Sequence, residues 1–318
     1  MKYSPIDLSG VKTYPLAERQ NKVSIGRDFG RPVSAGMSVA ELLTALPPQL
    51  GSQALLGVID AIADARSKGK PVVMAMGAHV LKCGLQPVLK SLIEADAVTA
   101  FALNGAGSIH DYEISLIGET SEDVGAVLHC GAFGMAEETG RDINRALKEG
   151  VAKGLGYGEA VGRFIIDNNN PHREHSLLAV CAEREIPVTV HVALGTDIIH
   201  QHPTADGAVI GEASYTDFRI LTSVVSELGD GGVYLNVGSA VLLPEVFLKA
   251  LSIAQNLGYH VDNFTTANLD MQQHYRPLQN VVKRPTSGKS RGYTLTGHHE
   301  IMLPLLAAGV LDRIRSTF

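Results

Sequence analysis

A doubly wound α/β architecture with a mostly parallel sheet is what this sequence predicts. Short apolar runs of strand length alternate with segments whose apolar residues recur at helical spacing, the order in which βαβ units are built. The composition, 45% apolar and 19% charged, supplies enough Val, Ile, Leu and Ala to cover a sheet on both faces. Several of the apolar runs end directly in glycine-bearing loops, the punctuation expected where a strand turns into a helix.

Residues 1–38 mix proline, glycine and charge without a sustained period. They read as an extended arm lying on the main domain or on a neighbouring subunit, and residues 39–318 read as one α/β domain. The stretches SVAELLTAL and SQALLGVIDAIADARSKG carry helical spacing, and Gly69 is a plausible stop for the second. PVVMAM, from Pro71 to Met76, follows a KGK turn and reads as a central strand. AHVLKCGLQPVLKSLIEAD reads as a helix interrupted near Gly84 and Pro87, and Ala97 to Asn104 as a second buried strand. IPVTVHVAL, GGVYLNV and YHVDNFTTA supply further strands, separated by helical SLLAVCAERE, DFRILTSVVSEL and PEVFLKALSIAQNLG. The expectation is five or six strands in a parallel sheet, with GLGYG at Gly154 to Gly158 as a break between two helices.

The net charge of -6, with acids and bases interspersed, argues against gripping a polyanion such as nucleic acid. No signal-peptide core is visible and no stretch approaches ~20 apolar residues, so a cytoplasmic protein with no membrane partner is expected. The three cysteines, Cys83, Cys130 and Cys181, form no C-x-x-C pair and are expected to be buried free thiols.

Ligands of open parallel sheets bind outside the carboxyl ends of the strands, so the loops there are where chemistry is sought. Gly105-Ala106-Gly107, following Asn104, would let a pyrophosphate approach the backbone, although the dinucleotide fingerprint G-x-G-x-x-G has His110 where its last glycine belongs. PTSGKS ends like a phosphate-binding P-loop but has Lys283 where that motif turns on glycine. The histidines His191, His200 and His202, with Asp197 nearby, raise metal ligation, though no H-E-x-x-H spacing accompanies them and polar cleft histidines are the plainer reading. A cationic substrate would need several of the loop carboxylates Asp111, Glu113, Asp197, Asp206, Glu212 and Glu245.

At the second loop, NGAGSIHDYE resembles the T-A-G-G-x-E-E-D segment that contacts NAD in deoxyhypusine synthase. GAHVLKCG resembles that family's T-S-N-L-x-S-S-G loop, with His79 at its asparagine and Gly84 at its final glycine. IPVTVHVALGTD is similar to its I-P-V-F-x-P-A-L-T-D-G, and FTTAN, with Thr266 and Ala267, to its I-N-T-A-Q. EIMLPLLAAGV is similar to L-V-F-P-L-L-V-A, with the Arg276-Pro277 pair at the same distance upstream. The matches are collinear from about Gly77 to Val310.

The resemblance implies a Rossmann-like NAD-binding sheet, a homotetramer with sites at subunit interfaces, and transferase chemistry. In that chemistry NAD takes a hydride from spermidine before an aminobutyl group passes to a lysine. It further implies cofactor contacts at His79, Asn104, Gly105, Ala106, Gly107, Asp197, Thr266 and Ala267. The family's imine-forming lysine lies in a W-G-K segment. Here the stretch is NVVKRPTSGKSRG, and its position falls on Pro285 without gaps or on Lys289 through SGK after a compensated shift. The chain has no tryptophan. The family's G-G-G-V-x-K-H-H becomes GSAVLLPE, with Glu245 near the substrate histidine's place, and its acidic pair becomes His110 and Asp111.

The leading expectation is therefore an NAD-dependent relative acting on a polyamine or other small amine by hydride transfer and imine chemistry, rather than forming deoxyhypusine. Lys289, Asp111 and Glu245 are its candidate catalytic residues. A non-catalytic nucleotide-binding or regulatory protein on the same fold, and a histidine-metal hydrolase, are the alternatives.

Overall fold

The computed structural model describes residues 3–315. From residue 3 to 38 the chain is exposed and irregular apart from two short turns, Leu16–Glu18 and α1 (Ile25–Asp28). It joins the body where the Arg31 amide donates to the Ala45 carbonyl at 2.8 Å and the Gln49 side chain donates to the Asp28 carbonyl, also at 2.8 Å. Large apolar side chains of the arm, among them Ile6, Leu8, Ile25 and Val33, stay exposed.

Ser38 opens α2 (Val39–Ala45) through a capping box with Glu41, which satisfies two orphan amides at the helix start. Then come α3 (Leu50–Ser67), β1 (Val72–Met76), α4 (His79–Lys82), α5 (Gln86–Glu94) and β2 (Ala100–Asn104). The helix break expected near Gly84 and Pro87 separates α4 from α5: Gly84 takes a φ of 70° and Pro87 sits in the first turn of α5. The chain continues through α6 (Gly105–Ile117), α7 (Val124–Val127), α8 (Glu137–Val151), α9 (Tyr157–Asp167), α10 (Leu177–Glu183) and β3 (Val188–His191). It ends with α11 (Gly207–Ser226), β4 (Val233–Val237), α12 (Leu242–Asn256), β5 (Thr265–Asp270), α13 (Tyr275–Pro277), β6 (Arg291–Thr296) and α14 (His299–Arg315).

The strands form one six-stranded parallel sheet in the order β3-β2-β1-β4-β5-β6. Burial on both faces explains why β1 reads as an unbroken apolar run and why β4 is apolar but for Asn236. Val72, Met74 and Met76 pack with α3, α5 and α14 on one side, and Val73 and Ala75 with α11 and α12 on the other.

Two strands differ from expectation. The fifth begins at Thr265 rather than Tyr259, because Asn263 takes a left-handed turn (φ 55°), and it runs on to Asp270. Its polar end is tolerated inside the sheet because Asn268 accepts from Asn236 at 2.7 Å and donates to Gln273 at 2.8 Å. The sixth, Arg291–Thr296, is a largely exposed edge strand with Leu295 as its buried residue, so it leaves no apolar run to detect. Of the cysteines, Cys181 is buried, Cys83 is partly covered and Cys130 is exposed, so burial holds for the first alone. Among the described residues no helix is long and apolar enough to cross a membrane.

Candidate functional site at the strand-order reversal

β1 and β4 are neighbours whose following helices leave toward opposite halves of the sheet, so the carboxyl edge between them is the switch-point crevice at which open parallel sheets bind ligands. Two glycines meet there. A β-carbon on Gly77 would lie 2.3 Å from the Gly238 carbonyl oxygen, and one on Gly238, whose φ is 68°, would lie 2.6 Å from Nε2 of His299. Bare backbone is therefore what this approach requires.

His299, at the start of α14, is buried, with its ring centroid 6.2 Å from that of exposed His79. Its Nδ1 is buried with no hydrogen-bond partner among the described residues. Burial lowers the His299 pKa, with the Asp270 carboxylate at the end of β5 opposing, so the ring is neutral near pH 7. Behind it, Asn236 donates to the Ser239 carbonyl at 2.9 Å and Gln273 donates to the Leu295 carbonyl at 3.2 Å. With Asn268 between them, these amides tie the ends of β4, β5 and β6 together.

At the end of β2 the expected glycine loop is already helix. Asn104 accepts from the Gly107 amide at 3.1 Å and caps α6, so Gly105, Ala106 and Gly107 form its first turn. Asp197 presses against this turn: a β-carbon on Gly105 would lie 2.0 Å from its Oδ2. His200 holds the loop that carries Asp197. Its Nδ1 accepts from the amides of Gly195 and Asp197 at 3.1 and 3.2 Å, which puts the ring proton on Nε2, 3.8 Å from Asp197 Oδ2. Burial raises the Asp197 pKa, with His200 opposing. A carboxylate thus already occupies the helix end at which a pyrophosphate was expected.

One flank of α6 carries a relay that the sequence does not announce. Thr120 donates to Glu113 at 2.5 Å, so its oxygen accepts from His110 Nδ1 at 2.6 Å. Thr139 donates to the second Glu113 oxygen at 3.0 Å. These partners are up to 26 residues apart in the chain, which is why no local motif reveals them.

The remaining expected residues are scattered. Asp111 faces inward, fully buried, accepting from Ser176 Oγ at 2.5 Å and from the amides of Leu177 and Leu178 at 2.7 and 3.0 Å. It caps α10 rather than orienting an amine, and burial pushes its pKa up to about 6 against those hydrogen bonds. Glu245 lies in the first turn of α12, bound to Lys249, to Arg276 at 2.9 Å and to Asn280 at 2.9 Å. Lys249 first, then Arg276, holds it below the usual carboxylate range.

Lys289 is exposed and precedes β6, whose first residue Arg291 pairs with Thr265, the first residue of β5. In a parallel sheet that is the amino end, roughly 20 Å from the carboxyl-end loops. The imine role expected of Lys289 therefore has no site near the crevice. Thr266 and Ala267 lie inside β5, and Thr266 Oγ1 donates to the Val281 carbonyl at 2.7 Å; the strand meets the crevice at Asp270 instead. His191, His200 and His202 do not converge. Among the described residues no group of three His, Cys, Asp or Glu side chains is arranged to hold a metal.

The strand order and the crevice define a doubly wound parallel α/β fold of the dinucleotide-binding type. No family model matches the chain, and no curated protein matches its sequence. Among solved structures it is similar to unliganded AgrE (TM-score 0.53, 14% identity, covering 84% of this chain and 33% of that one). It is also similar to AgrE in a ternary complex with ornithine and NAD+ (0.51, 16%, 84% and 34%). A provisionally assigned deoxyhypusine synthase from Entamoeba histolytica matches at 0.52 and 11% identity, over 87% of this chain and 94% of that one. This chain spans about a third of the AgrE chains, and at such identities the likeness shows the fold.

Proposed function

We propose that the chain is an NAD-using enzyme that oxidises a small amine at the strand-order reversal. The observation that carries this reading is the strand-order reversal between β1 and β4. Beside it His299 offers a buried imidazole nitrogen with no partner among the described residues. The ligands of AgrE and the deoxyhypusine-synthase-like fold support it.

The residues present fit a dinucleotide. Asp197 beside Gly105 suits ribose hydroxyls better than phosphate. His79, Asn104, Gly105, Ala106 and Gly107 complete the cofactor's surroundings. NAD, when bound, supplies a hydride acceptor. Asp270 holds the cationic amine, and neutral His299 receives the proton that the nitrogen releases as the adjacent carbon loses its hydride. The exposed apolar side chains of the arm fit contact with a second copy, in keeping with a homo-oligomer.

The test is calorimetric titration with NAD in the presence and absence of ornithine, arginine and spermidine. NAD binding that tightens with one of these amines supports the proposal, and absence of NAD binding under every condition overturns it. The distance of Lys289 from the crevice favours a second reading, a nucleotide-binding protein without turnover. It predicts NAD binding without amine-dependent reduction of the cofactor.

A further inference from the structure

A second concavity opens at the carboxyl edge, where the end of β3 faces α11 and the first turns of α12. It has a volume of about 430 Å³, and His191, Leu194, Tyr215, Phe218, Leu242 and Val246 are among its lining residues. The rings of Tyr215 and Phe218 stack with centroids 6.2 Å apart and planes inclined by 30°. Among the described residues no Lys, Arg, Asp or Glu side chain lines it, so neither a phosphate nor an ammonium group finds a counter-charge there.

The hydrogen bonds decide what polar feature the cleft offers. Ser214 is consumed, donating to the Val190 carbonyl at 3.0 Å and accepting from the Val192 amide at 3.2 Å. When Thr189 donates its hydroxyl proton to the Phe101 carbonyl at 3.3 Å, its oxygen accepts from His191 Nε2 at 3.0 Å. In that tautomer the His191 proton resides on Nε2, and Nδ1 is an acceptor with no partner among the described residues. Burial pushes the His191 pKa down to about 4, which keeps that acceptor neutral at physiological pH.

A neutral acceptor among aromatic and aliphatic walls matches a flat heteroaromatic ring with an N–H donor on its edge. The cleft also adjoins the crevice, because Leu242 and Val246 follow directly on the Gly238–Val241 loop. We propose that this cleft receives the adenine ring of the dinucleotide, with the exocyclic amino group donating to Nδ1 of His191. The inference rests on the NAD reading above.

The test compares NAD with its purine analogue, in which hydrogen replaces that amino group, by calorimetry on the unaltered protein. Binding of the purine analogue about tenfold weaker than NAD is expected, the usual size of one lost hydrogen bond. In His191→Phe the two dinucleotides should bind alike and both more weakly than NAD binds the unaltered protein. Equal affinity of the unaltered protein for both overturns the adenine assignment and leaves the NAD reading standing. Failure to bind either one overturns the NAD reading and the adenine assignment with it. The comparison on the unaltered protein decides the matter even if His191→Phe does not fold.

Discussion

The carboxylate of Asp197 lies where a side chain on Gly105 would have to be, with Oδ2 only 2.0 Å from the position of a β-carbon there. The two residues are 92 apart in sequence, yet each dictates the other: the glycine admits the acid to the first turn of α6, and the helix end favours its charge. Gly105→Ala is expected to cost about 1–3 kcal/mol of stability by overpacking. Asp197→Gly should absorb much of that cost, so a double-mutant cycle in urea should be clearly non-additive. Additive losses would show that the two residues do not share this space.

At the crevice the constraint is backbone against backbone. A β-carbon on Gly77 meets the Gly238 carbonyl, which cannot rotate out of the way as a side chain can. Gly77→Ala should therefore lose at least about 2 kcal/mol or fail to fold. Where it does fold, NAD affinity should fall too. A variant with unchanged stability would contradict the close approach.

Asp217 gives the protein a pH dependence of definite sign. It is buried on α11, accepts from the amides of Gly158 and Val190 at 2.9 and 2.6 Å, and burial pushes its pKa up to about 8 from an ordinary 3.8. A folded pKa above the unfolded one means that the folded state holds the proton more tightly. The contribution is complete below pH ~4 and is lost as pH rises toward 8. Urea denaturation from pH 5 to 9 should show falling stability, and Asp217→Asn, close in shape to the protonated acid, should flatten the profile.

Asp111→Asn is expected to lower stability by about 2 kcal/mol, because an amide cannot accept all three of the hydrogen bonds that cap α10. Dinucleotide affinity should be retained, since Asp111 faces the core. A selective loss of ligand affinity at normal stability would return Asp111 to the site.

Lys289→Ala should leave NAD binding, and any amine-dependent reduction of NAD, within about twofold of the unaltered protein, as expected for an exposed residue outside the site. Borohydride trapping of an amine-derived adduct on Lys289 would contradict its placement at the amino end of the sheet.

Much of the fold was legible because a parallel sheet covered on both faces leaves apolar runs, continuous in Val72–Met76 and broken by Asn236 alone in Val233–Val237. The interruption at Gly84 and Pro87 was equally local, since it depends on what those residues do to their own backbone. The exposed strand Arg291–Thr296 escaped because edge strands need little apolar surface. Asn268 and Asp270 hid the end of β5, because their acceptability in the sheet depends on amides contributed by other elements.

The site divides in the same way. The sequence by itself determined the alternation of strands and helices, the glycine-marked strand ends, and hence the edge of the sheet at which ligands are to be sought. It did so because periodicity and glycine act over a few residues. Only the tertiary structure decided that Asp111 caps a helix, that Lys289 sits at the far end of the sheet, and that Gly77, Gly238 and His299 meet. Burial, parallel register and hydrogen-bond partnership are relations between segments distant in the chain, and they take their values only when the sheet closes.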